Sequence, residues 1–270
     1  MEIRRLGVDD VPECMKLITD RGWTWPAQQW ELLLTLGPGL GAFESGARGG
    51  AILGTALATP YPEAQSISGV LVGTWAERRG VGTALMVNIL DISETGVSVL
   101  YATSMGEPLY TKLGFHPVGV TTEYHGVFTG KAAGVSRPAA ISDIPALAAL
   151  DREVSGYTRD KFWDFAPSRY SLRTAEFEGG LGLIGSRQLA NGPAVGPIIA
   201  PTAADACALI SDVVAGGDLF RVDTDDADVA DFLLANGFEA RNGCALMVHG
   251  ATTLPGDRAR YFAPASLALG

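Results

Sequence analysis

Short aliphatic runs alternate with amphipathic stretches along the chain, and this alternation predicts strands interleaved with helices. In the first half, residues 66–73 (SISGVLVG) and 97–103 (VSVLYAT) predict buried strands, and residues 80–96 predict a helix that ends at Gly96. A turn and strand at 46–61, a short helix at 106–114 and a last strand at 116–126 complete this half. Because some strands also meet as hairpins, the pattern predicts an α/β fold with a mixed, α+β type of sheet.

Two stretches near the start of each half have the same order of elements. Residues 4–17 (RRLGVDDVPECMKL) and 136–150 (SRPAAISDIPALAAL) each predict a short strand, an Asp-(Val/Ile)-Pro turn and an amphipathic helix. Asp10 and Asp143 occupy the predicted N-cap positions, and the following proline suits the first helical turn, where its missing N–H costs nothing. The agreement indicates an internal repeat.

The ends of the two halves agree as well. Residues 109–126 and 231–250 each contain a helix end, a Gly-Phe pair, a strand and a His-Gly pair that we expect to close the domain. The small residues of 128–136 are typical of a linker. We therefore predict two tandem α/β domains, at residues 1–130 and 135–270.

Composition and charge exclude several classes of protein. The 270 residues are 47% hydrophobic and carry a formal net charge of −10, which argues against a general nucleic-acid binder. No apolar run is long enough to span a bilayer, and the N-terminus lacks the apolar core of a signal peptide. Three isolated cysteines form no disulfide framework, so a reducing, cytoplasmic setting is expected, with no membrane and no metal.

The turn that follows the strand at 66–73 has the composition of an anion site. Gly80 and Gly82 remove Cβ atoms that would keep a phosphate away from the backbone, and Arg78 and Arg79 supply positive charge. The first N–H groups of the next helix add to the site, with those of Val81 and Thr83 among them. The third glycine of the dinucleotide fingerprint and the Gly-Lys-Ser/Thr of a Walker A loop are both missing.

This order of motifs resembles the GNAT acetyltransferase superfamily: strand, turn, Arg-rich Gly-x-Gly, helix, and then Tyr110-x-x-x-Gly114-Phe115. The resemblance implies acetyl-CoA as cosubstrate, with its pyrophosphate on the turn. It also implies a preceding strand that splays from its neighbour and binds the pantetheine arm through the backbone of Val70, Leu71 and Val72. One position departs from the family pattern, because Glu77 stands where glutamine or arginine is usual; we expect its carboxylate to pair with an arginine.

The whole chain resembles bacterial GNAT proteins with a second, degenerate GNAT-like domain. Residues 182–210 are similar to the centre of that second domain. The turn equivalent to 76–82 is IIAPTAADACAL, which has neither glycine nor arginine. The second domain is therefore not expected to bind CoA through this turn.

The resemblance assigns Tyr110 the role of protonating the leaving thiolate. Strand alternation places Glu123 and His125 on one face, where Glu123 is either a general base, directly or through water, or a solvated edge residue. Residues 21–30, rich in tryptophan, predict an acceptor lid that contains Trp23 and Trp25, with Tyr61 in the same cleft. Indole faces suit an apolar or cationic acceptor, although ordinary core packing is an equal alternative.

These observations predict a cytoplasmic N-acetyltransferase that moves an acetyl group from acetyl-CoA to a primary amine, by direct transfer in a ternary complex. A small-molecule amine fits the acidic charge better than a DNA-associated protein does. Two alternatives stay open: a non-catalytic acyl-CoA sensor, and a scaffold that binds a protein partner without CoA. The apolar tail 261–270 packs either on its own chain or on a partner, so a homodimer also stays open.

Overall fold

The computed structural model describes residues 1–45 and 50–270, which form two compact units. Unit 1 consists of residues 1–116 together with 247–252 and Leu269. Unit 2 consists of residues 117–246 and 253–268 together with Gly270. Each unit therefore contains chain from both halves of the sequence.

Unit 1 is a mixed sheet covered by helices. Its elements are β1 (Glu2–Arg5), α1 (Val11–Arg21), α2 (Ala27–Leu36), β2 (Gly39–Phe43), β3 (Ile52–Pro60), β4 (Gln65–Val72), α3 (Val81–Asp91), β5 (Ser98–Ala102) and α4 (Glu107–Lys112). Strands β1 to β5 lie side by side in chain order, antiparallel except for the parallel pair β4 and β5. Trp30, Leu53, Leu57 and Leu85 are fully buried in its core.

Unit 2 is a second mixed sheet. Its elements are β6 (His116–Gly126), β7 (Arg137–Pro138), α5 (Ile144–Ser155), α6 (Asp160–Arg169), β8 (Ser171–Phe177), β9 (Gly180–Leu189), β10 (Gly192–Ile199), α7 (Ala203–Val214), β11 (Phe220–Thr224), α8 (Ala227–Ala235), β12 (Phe238–His249) and β13 (Tyr261–Ala263). The strand order is β12-β6-β11-β10-β9-β8-β7, and β13 pairs with β10. Helices α7 and α8 bury Leu209, Ile210 and Leu233 against Ile198 and Val222 of the sheet.

Most predicted elements agree with the structure, which confirms the mixed α/β fold. The predicted strand at 116–126 is β6, and the strands predicted at 66–73 and 97–103 are β4 and β5 within a residue at each end. The helix predicted to end at Gly96 stops earlier, at Asp91. Residues 46–49 of the predicted turn lie outside the described residues.

One ion pair occurs at the start of both units. Arg4 donates to the two carboxylate oxygens of Asp10 at 2.9 and 2.7 Å, and Arg137 donates to those of Asp143 at 2.7 and 3.0 Å. The hydrogen bonds from Arg137 lower the pKa of the Asp143 carboxyl to about 2. Each aspartate precedes its helix as predicted, but the predicted capping role is wrong: neither side chain accepts a bond from its helix. Each is occupied by its arginine and by a backbone N–H three residues earlier.

The last strand of the first half lies almost entirely in unit 2, and the last strand of the second half has its final three residues in unit 1. Strand β6 belongs almost entirely to unit 2, where Tyr124 pairs with Val222 of β11. The end of β12 belongs to unit 1, where the His249 ring lies 5.2 Å from the ring of Phe115, centroid to centroid. The two units therefore differ from the predicted division at 1–130 and 135–270.

The packing of β6 in unit 2 predicts that one added methyl group destabilises the protein at some positions of this strand and not at others. A Cβ at Gly126 would lie 2.4 Å from the carbonyl oxygen of Gly237 and 2.5 Å from the Cα of Phe238. We expect Gly126→Ala to destabilise the protein by about 1–3 kcal/mol, because backbone atoms must shift. Urea-unfolding midpoints measure the effect.

Gly119→Ala in the same strand is the matched control. Its added Cβ would meet nothing closer than an Asp225 carboxylate oxygen at 3.7 Å. We expect its stability to stay within about 0.5 kcal/mol of wild type. Equal midpoints for the two variants would contradict this placement of β6.

Candidate functional site

A tight turn joins β4 to α3 in unit 1. A 3-10 turn at Thr74–Ala76 is followed by two residues with positive φ, Arg78 at 58° and Gly80 at 76°. No side chain caps α3, and within residues 1–45 and 50–270 the N–H groups of Val81, Gly82 and Thr83 have no hydrogen-bond acceptor. Three aligned donors at the positive end of a helix form an anion-binding geometry.

The two glycines of this turn have different structural roles. Gly80 provides the left-handed conformation, and a Cβ there would face open space. A Cβ at Gly82 would lie 3.2 Å from Leu109 and 3.5 Å from Val72, so this glycine allows α3 to pack closely. The role of Gly82 in making room for a phosphate stays a prediction beside this packing role. Arg78 and Arg79 are exposed beside the turn, and Arg79 lies 3.4 Å from the Glu44 carboxylate.

Strand β4 leaves β5 before it reaches the turn. The two strands pair only from Gln65 to Ile67, after which Gly69 takes a φ of 57° and the register with β3 shifts. The N–H of Gly73 donates to the carbonyl of Leu53 in β3 at 2.9 Å. Because backbone groups of successive residues in a strand point to opposite sides, the N–H and carbonyl of Val72 point away from β3. The same alternation turns the backbone groups of Leu71 toward β3, so the strand end presents those of Val72 along an edge that β5 does not cover.

The C-terminal end of α1 holds both the strand end and the turn. Arg21 donates from Nε to the Val72 carbonyl at 2.7 Å and pairs through Nη2 with Glu77 at 2.7 Å. Asp20 accepts from the backbone N–H and the hydroxyl of Thr74, each at 2.8 Å. The predicted pairing of Glu77 with an arginine is confirmed. Arg21 itself was not predicted, because nothing in the local sequence connects it with residues more than fifty positions away.

Tyr110 of α4 is a buried phenol with a free hydroxyl. Its side chain is 7% exposed, and burial raises the pKa of Tyr110 to about 12. The ring packs on Phe115 with centroids 5.9 Å apart, and the oxygen lies 3.3 Å from the Cβ position of Gly106. Among the described residues no side chain or backbone group bonds this hydroxyl. The phenol therefore stays protonated near neutral pH and has a hydrogen to donate.

The tryptophans between α1 and α2 form a contiguous cluster. Trp23 and Trp25 lie 5.5 Å apart, and Trp25 and Trp30 lie 5.9 Å apart, centroid to centroid. Trp25 also lies 3.4 Å from the Cβ position of Gly69, where β4 leaves β5. Trp30 is fully buried, whereas Trp23 and Trp25 are half-buried. Trp23 and Trp25 therefore have surface left for a ligand, and Trp30 belongs to the core.

Tyr61 is a buried residue with a defined partner. It is 6% exposed, and its hydroxyl donates to the carbonyl of Leu269 at 2.6 Å. Leu269 is the one residue of the tail that belongs to unit 1. This hydrogen bond fixes the tail, so the tyrosine hydroxyl is already used.

Glu123 lies in unit 2, where both carboxylate oxygens are engaged. Oε1 pairs with Arg221 at 2.9 Å, and Oε2 lies 3.3 Å from Nε2 of His125. Arg221 also donates to Asp223 at 2.8 and 2.9 Å. The predicted strand alternation is confirmed, because these side chains share the face opposite Tyr124 and Val222. They form an ion-paired cluster on the sheet.

The strand–turn–helix of unit 2 that corresponds to β4 and α3 has a capped helix. The hydroxyl of Thr202 accepts from the backbone N–H of Asp205 at 3.2 Å and donates to the Asp205 carboxylate at 2.7 Å. That carboxylate places a negative charge in the first turn of α7, where an incoming anion would be repelled. This helix start is already satisfied by its own chain.

The edge of β10 in unit 2 is also occupied. Strand β10 pairs in parallel with β11 at Ala194 and Val195, and then β13 pairs with Ile198 and Ile199. The same two isoleucines pair with β9 on their other side, so β13 continues the edge that β11 leaves. Backbone of the chain itself fills the position that stays open beside β4 in unit 1.

Comparison with known proteins finds a family model that matches part of the chain. Residues 147–263 match the model described as Acetyltransferase (GNAT) domain, so this part of the chain is similar to that family. The match covers less than half of the chain and falls on the half with the capped helix, whereas the uncapped turn lies in the other half. No curated protein sequence matches the chain.

Solved structures show the same fold over nearly the full length. A proposed acetyltransferase from Pyrococcus horikoshii superposes with a TM-score of 0.83 at 19% identity, over 100% of this chain and 95% of that one. A GCN5-related N-acetyltransferase from Sphaerobacter thermophilus has a TM-score of 0.62 at 14% identity, over 94% of this chain and 96% of that one. A GCN5-related N-acetyltransferase from Kribbella flavida has a TM-score of 0.59 at 17% identity, over 92% of this chain and 71% of that one. At these identities the likeness establishes the fold.

The described residues lack two kinds of feature. In residues 1–45 and 50–270, no helix combines the length and apolarity needed to cross a membrane. Over the same described ranges, no group of three or more His, Cys, Asp or Glu side chains could hold a metal ion.

The uncapped turn predicts that Gly80 is needed for anion binding beyond its effect on stability. Gly80→Ala places a methyl group where φ is 76°, which costs about 1–2 kcal/mol and distorts the turn. Gly96→Ala is the matched control, because its φ is 69° and its Cβ would also face open space. We expect similar losses of thermal stability but weaker CoA binding only in Gly80→Ala. Equal CoA affinity by calorimetry would contradict the assignment of the turn.

Proposed function

We propose that this chain is an N-acetyltransferase that uses acetyl-CoA, with its cosubstrate site in unit 1. The contrast between the two strand–turn–helix segments carries the proposal. In unit 1 the helix start is uncapped and the strand edge is open. In unit 2, Thr202 caps the helix and β13 occupies the edge. Unit 2 is then a GNAT-like domain without a cosubstrate, and the chain binds one acetyl-CoA.

Different residues of unit 1 bind different parts of acetyl-CoA in this proposal. The N–H groups of Val81, Gly82 and Thr83 hold the pyrophosphate, with Arg78 and Arg79 adding charge-assisted bonds at the entrance. The pantetheine arm follows the open edge from Val70 through Leu71 to Val72. These groups are backbone donors and acceptors in the main, so the site does not require glutamine or arginine at position 77.

Acetyl-CoA supplies an activated acetyl thioester. The outward N–H of Val72 is positioned to donate to the oxyanion that develops during acyl transfer. Tyr110 donates its proton to the departing sulfur, since it is buried, protonated and free of other partners. We do not assign proton abstraction to Glu123, because its carboxylate is held by Arg221 and His125. The acceptor ammonium gives its proton to water, so turnover rises with pH toward the pKa of the amine.

The acceptor we propose is a small primary amine with an apolar or cationic body. Trp23 and Trp25 offer indole faces beside the point where β4 leaves β5. Cations and apolar groups both bind such faces. The net charge of −10 disfavours nucleic acid as partner and suits a cationic small molecule. The three free cysteines suit the cytoplasm, and a homodimer stays an additional proposal.

Calorimetric titration with acetyl-CoA, followed by thiol-release assays over small amines, tests the function. We expect one molecule bound per chain and thiol release with one acceptor class. Binding without release on any amine would replace the enzyme with an acyl-CoA sensor. Absence of binding would overturn the cosubstrate site itself.

Tyr110→Phe separates chemistry from binding. The variant removes a hydroxyl that makes no bond to the described protein, so stability and acetyl-CoA affinity should be unchanged. Turnover should fall by about 100-fold or more, the usual scale for losing a positioned proton donor. Tyr124→Phe removes another buried tyrosine hydroxyl, in unit 2, and should leave turnover unchanged. Wild-type turnover in Tyr110→Phe would exclude the proposed acid.

Trp23→Leu tests the acceptor surface. Loss of an indole face should raise the KM for a cationic amine by about 3- to 30-fold, in line with the strength of cation–π contacts. The KM for acetyl-CoA serves as the internal control and should not change. A parallel rise of both KM values would show that Trp23 supports the fold of the whole site.

A further inference from the structure

We propose that Arg21 is a positioning residue that makes the turn competent for an anion by holding the Glu77 carboxylate away from it. The inference rests on the proposed function and concerns the same cosubstrate site. It addresses a conflict in the sequence, since a carboxylate stands at the first position of a turn that has to receive a pyrophosphate. Arg21 resolves this conflict from a different element, the end of α1.

The contacts of Arg21 are directed to two acceptors at once. Nε reaches the Val72 carbonyl and Nη2 reaches Glu77, both at 2.7 Å. The Arg21 side chain is 15% exposed and the Glu77 side chain is 42% exposed, so the guanidinium is shielded from water while the carboxylate still meets it. A guanidinium has donors in a rigid fork and can serve both acceptors, whereas an ammonium is a single compact charge.

The backbone at the end of α1 fixes where Arg21 points. Gly22 follows with a φ of 65°, and the N–H of Trp23 returns to the carbonyl of Ile18 at 3.0 Å. This left-handed helix end stops α1 directly after Arg21. On the other side Asp20 binds Thr74, and the hydrogen bond from the Thr74 N–H is the main cause that lowers the pKa of Asp20. The adjacent residues Asp20 and Arg21 thus hold the start of the turn and the Glu77 carboxylate.

The two contacts have different consequences for the ligand. The bond to Val72 fixes the end of the open strand edge, next to the N–H assigned to the oxyanion. The pair with Glu77 removes one negative charge from the approach of the pyrophosphate. Without Arg21, the Glu77 carboxylate is free to turn toward the uncapped start of α3, which attracts any anion, and it would then compete with the ligand.

A double-mutant cycle between Arg21 and Glu77 tests this inference, with CoA affinity measured by calorimetry and KM and kcat measured separately. We expect Arg21→Met to weaken CoA binding and raise the KM for acetyl-CoA by about 10-fold or more, with kcat changed by less than about threefold. Arg21→Lys should recover affinity only in part, since an ammonium cannot reproduce the fork. Glu77→Gln alone should bind CoA at least as well as wild type.

The decisive variant is Arg21→Met combined with Glu77→Gln. If Arg21 acts by restraining the carboxylate, the second change restores much of the lost CoA affinity although it restores no contact. Lys16→Met is the control for charge on the same helix, because Lys16 is exposed and pairs only with Glu13. Its CoA affinity should equal that of wild type.

The outcomes separate this inference from the proposed function. If wild type binds CoA and the double variant binds it no better than Arg21→Met, the carboxylate is not the cause and the inference is overturned. The same conclusion follows if Arg21→Met binds CoA as wild type does. If wild type does not bind CoA, the proposed function fails, and the positioning role fails with it.

Discussion

Pairing between β4 and β5 stops after Ile67, and the candidate site depends on this early end. Gly69 takes a left-handed conformation that a side chain would oppose, and the register with β3 shifts at the same level. The backbone beyond Gly69 then faces an unfilled edge, although unpaired backbone groups in a sheet are costly to leave unsatisfied. Trp25 packs over Gly69, and Arg21 binds the carbonyl of Val72. The open edge is thus supported at both ends by residues from the end of α1 and the segment that follows it.

In unit 2, the equivalent strand edge and helix start find hydrogen-bond partners within the chain. Its parallel pair β10 and β11 also stops early, and there β13 supplies the missing backbone partners. The hydroxyl of Thr202 supplies an acceptor for the helix start. A fold that creates unsatisfied groups at a strand edge and a helix end can bind a ligand with them or satisfy them internally. The two units of this chain represent these two solutions.

Local features of the site could be predicted, and long-range ones could not. The turn between β4 and α3 was found because its glycines and arginines are adjacent in sequence, and the tryptophan segment was found for the same reason. Arg21 was missed because its contact with Glu77 follows no periodic pattern. The packing role of Gly82 was not predicted, since sequence does not show that Leu109 lies against it. The place of β6 in unit 2 was hidden by the repeat itself, because the two similar Gly-Phe and His-Gly pairs suggest that each strand belongs to its own half.

The position of residues 247–252 late in the chain also sets when unit 1 can be completed during synthesis. Residues 247–252 belong to unit 1 and neighbour β5, yet the ribosome makes them almost 150 residues after β5. Until then the nascent unit 1 has an unpaired strand edge, which is a site for wrong pairing. Contacts of such sequence separation slow folding, because a long loop must close before they form. Unit 1 therefore cannot reach its final structure before residues 247–252 have been made.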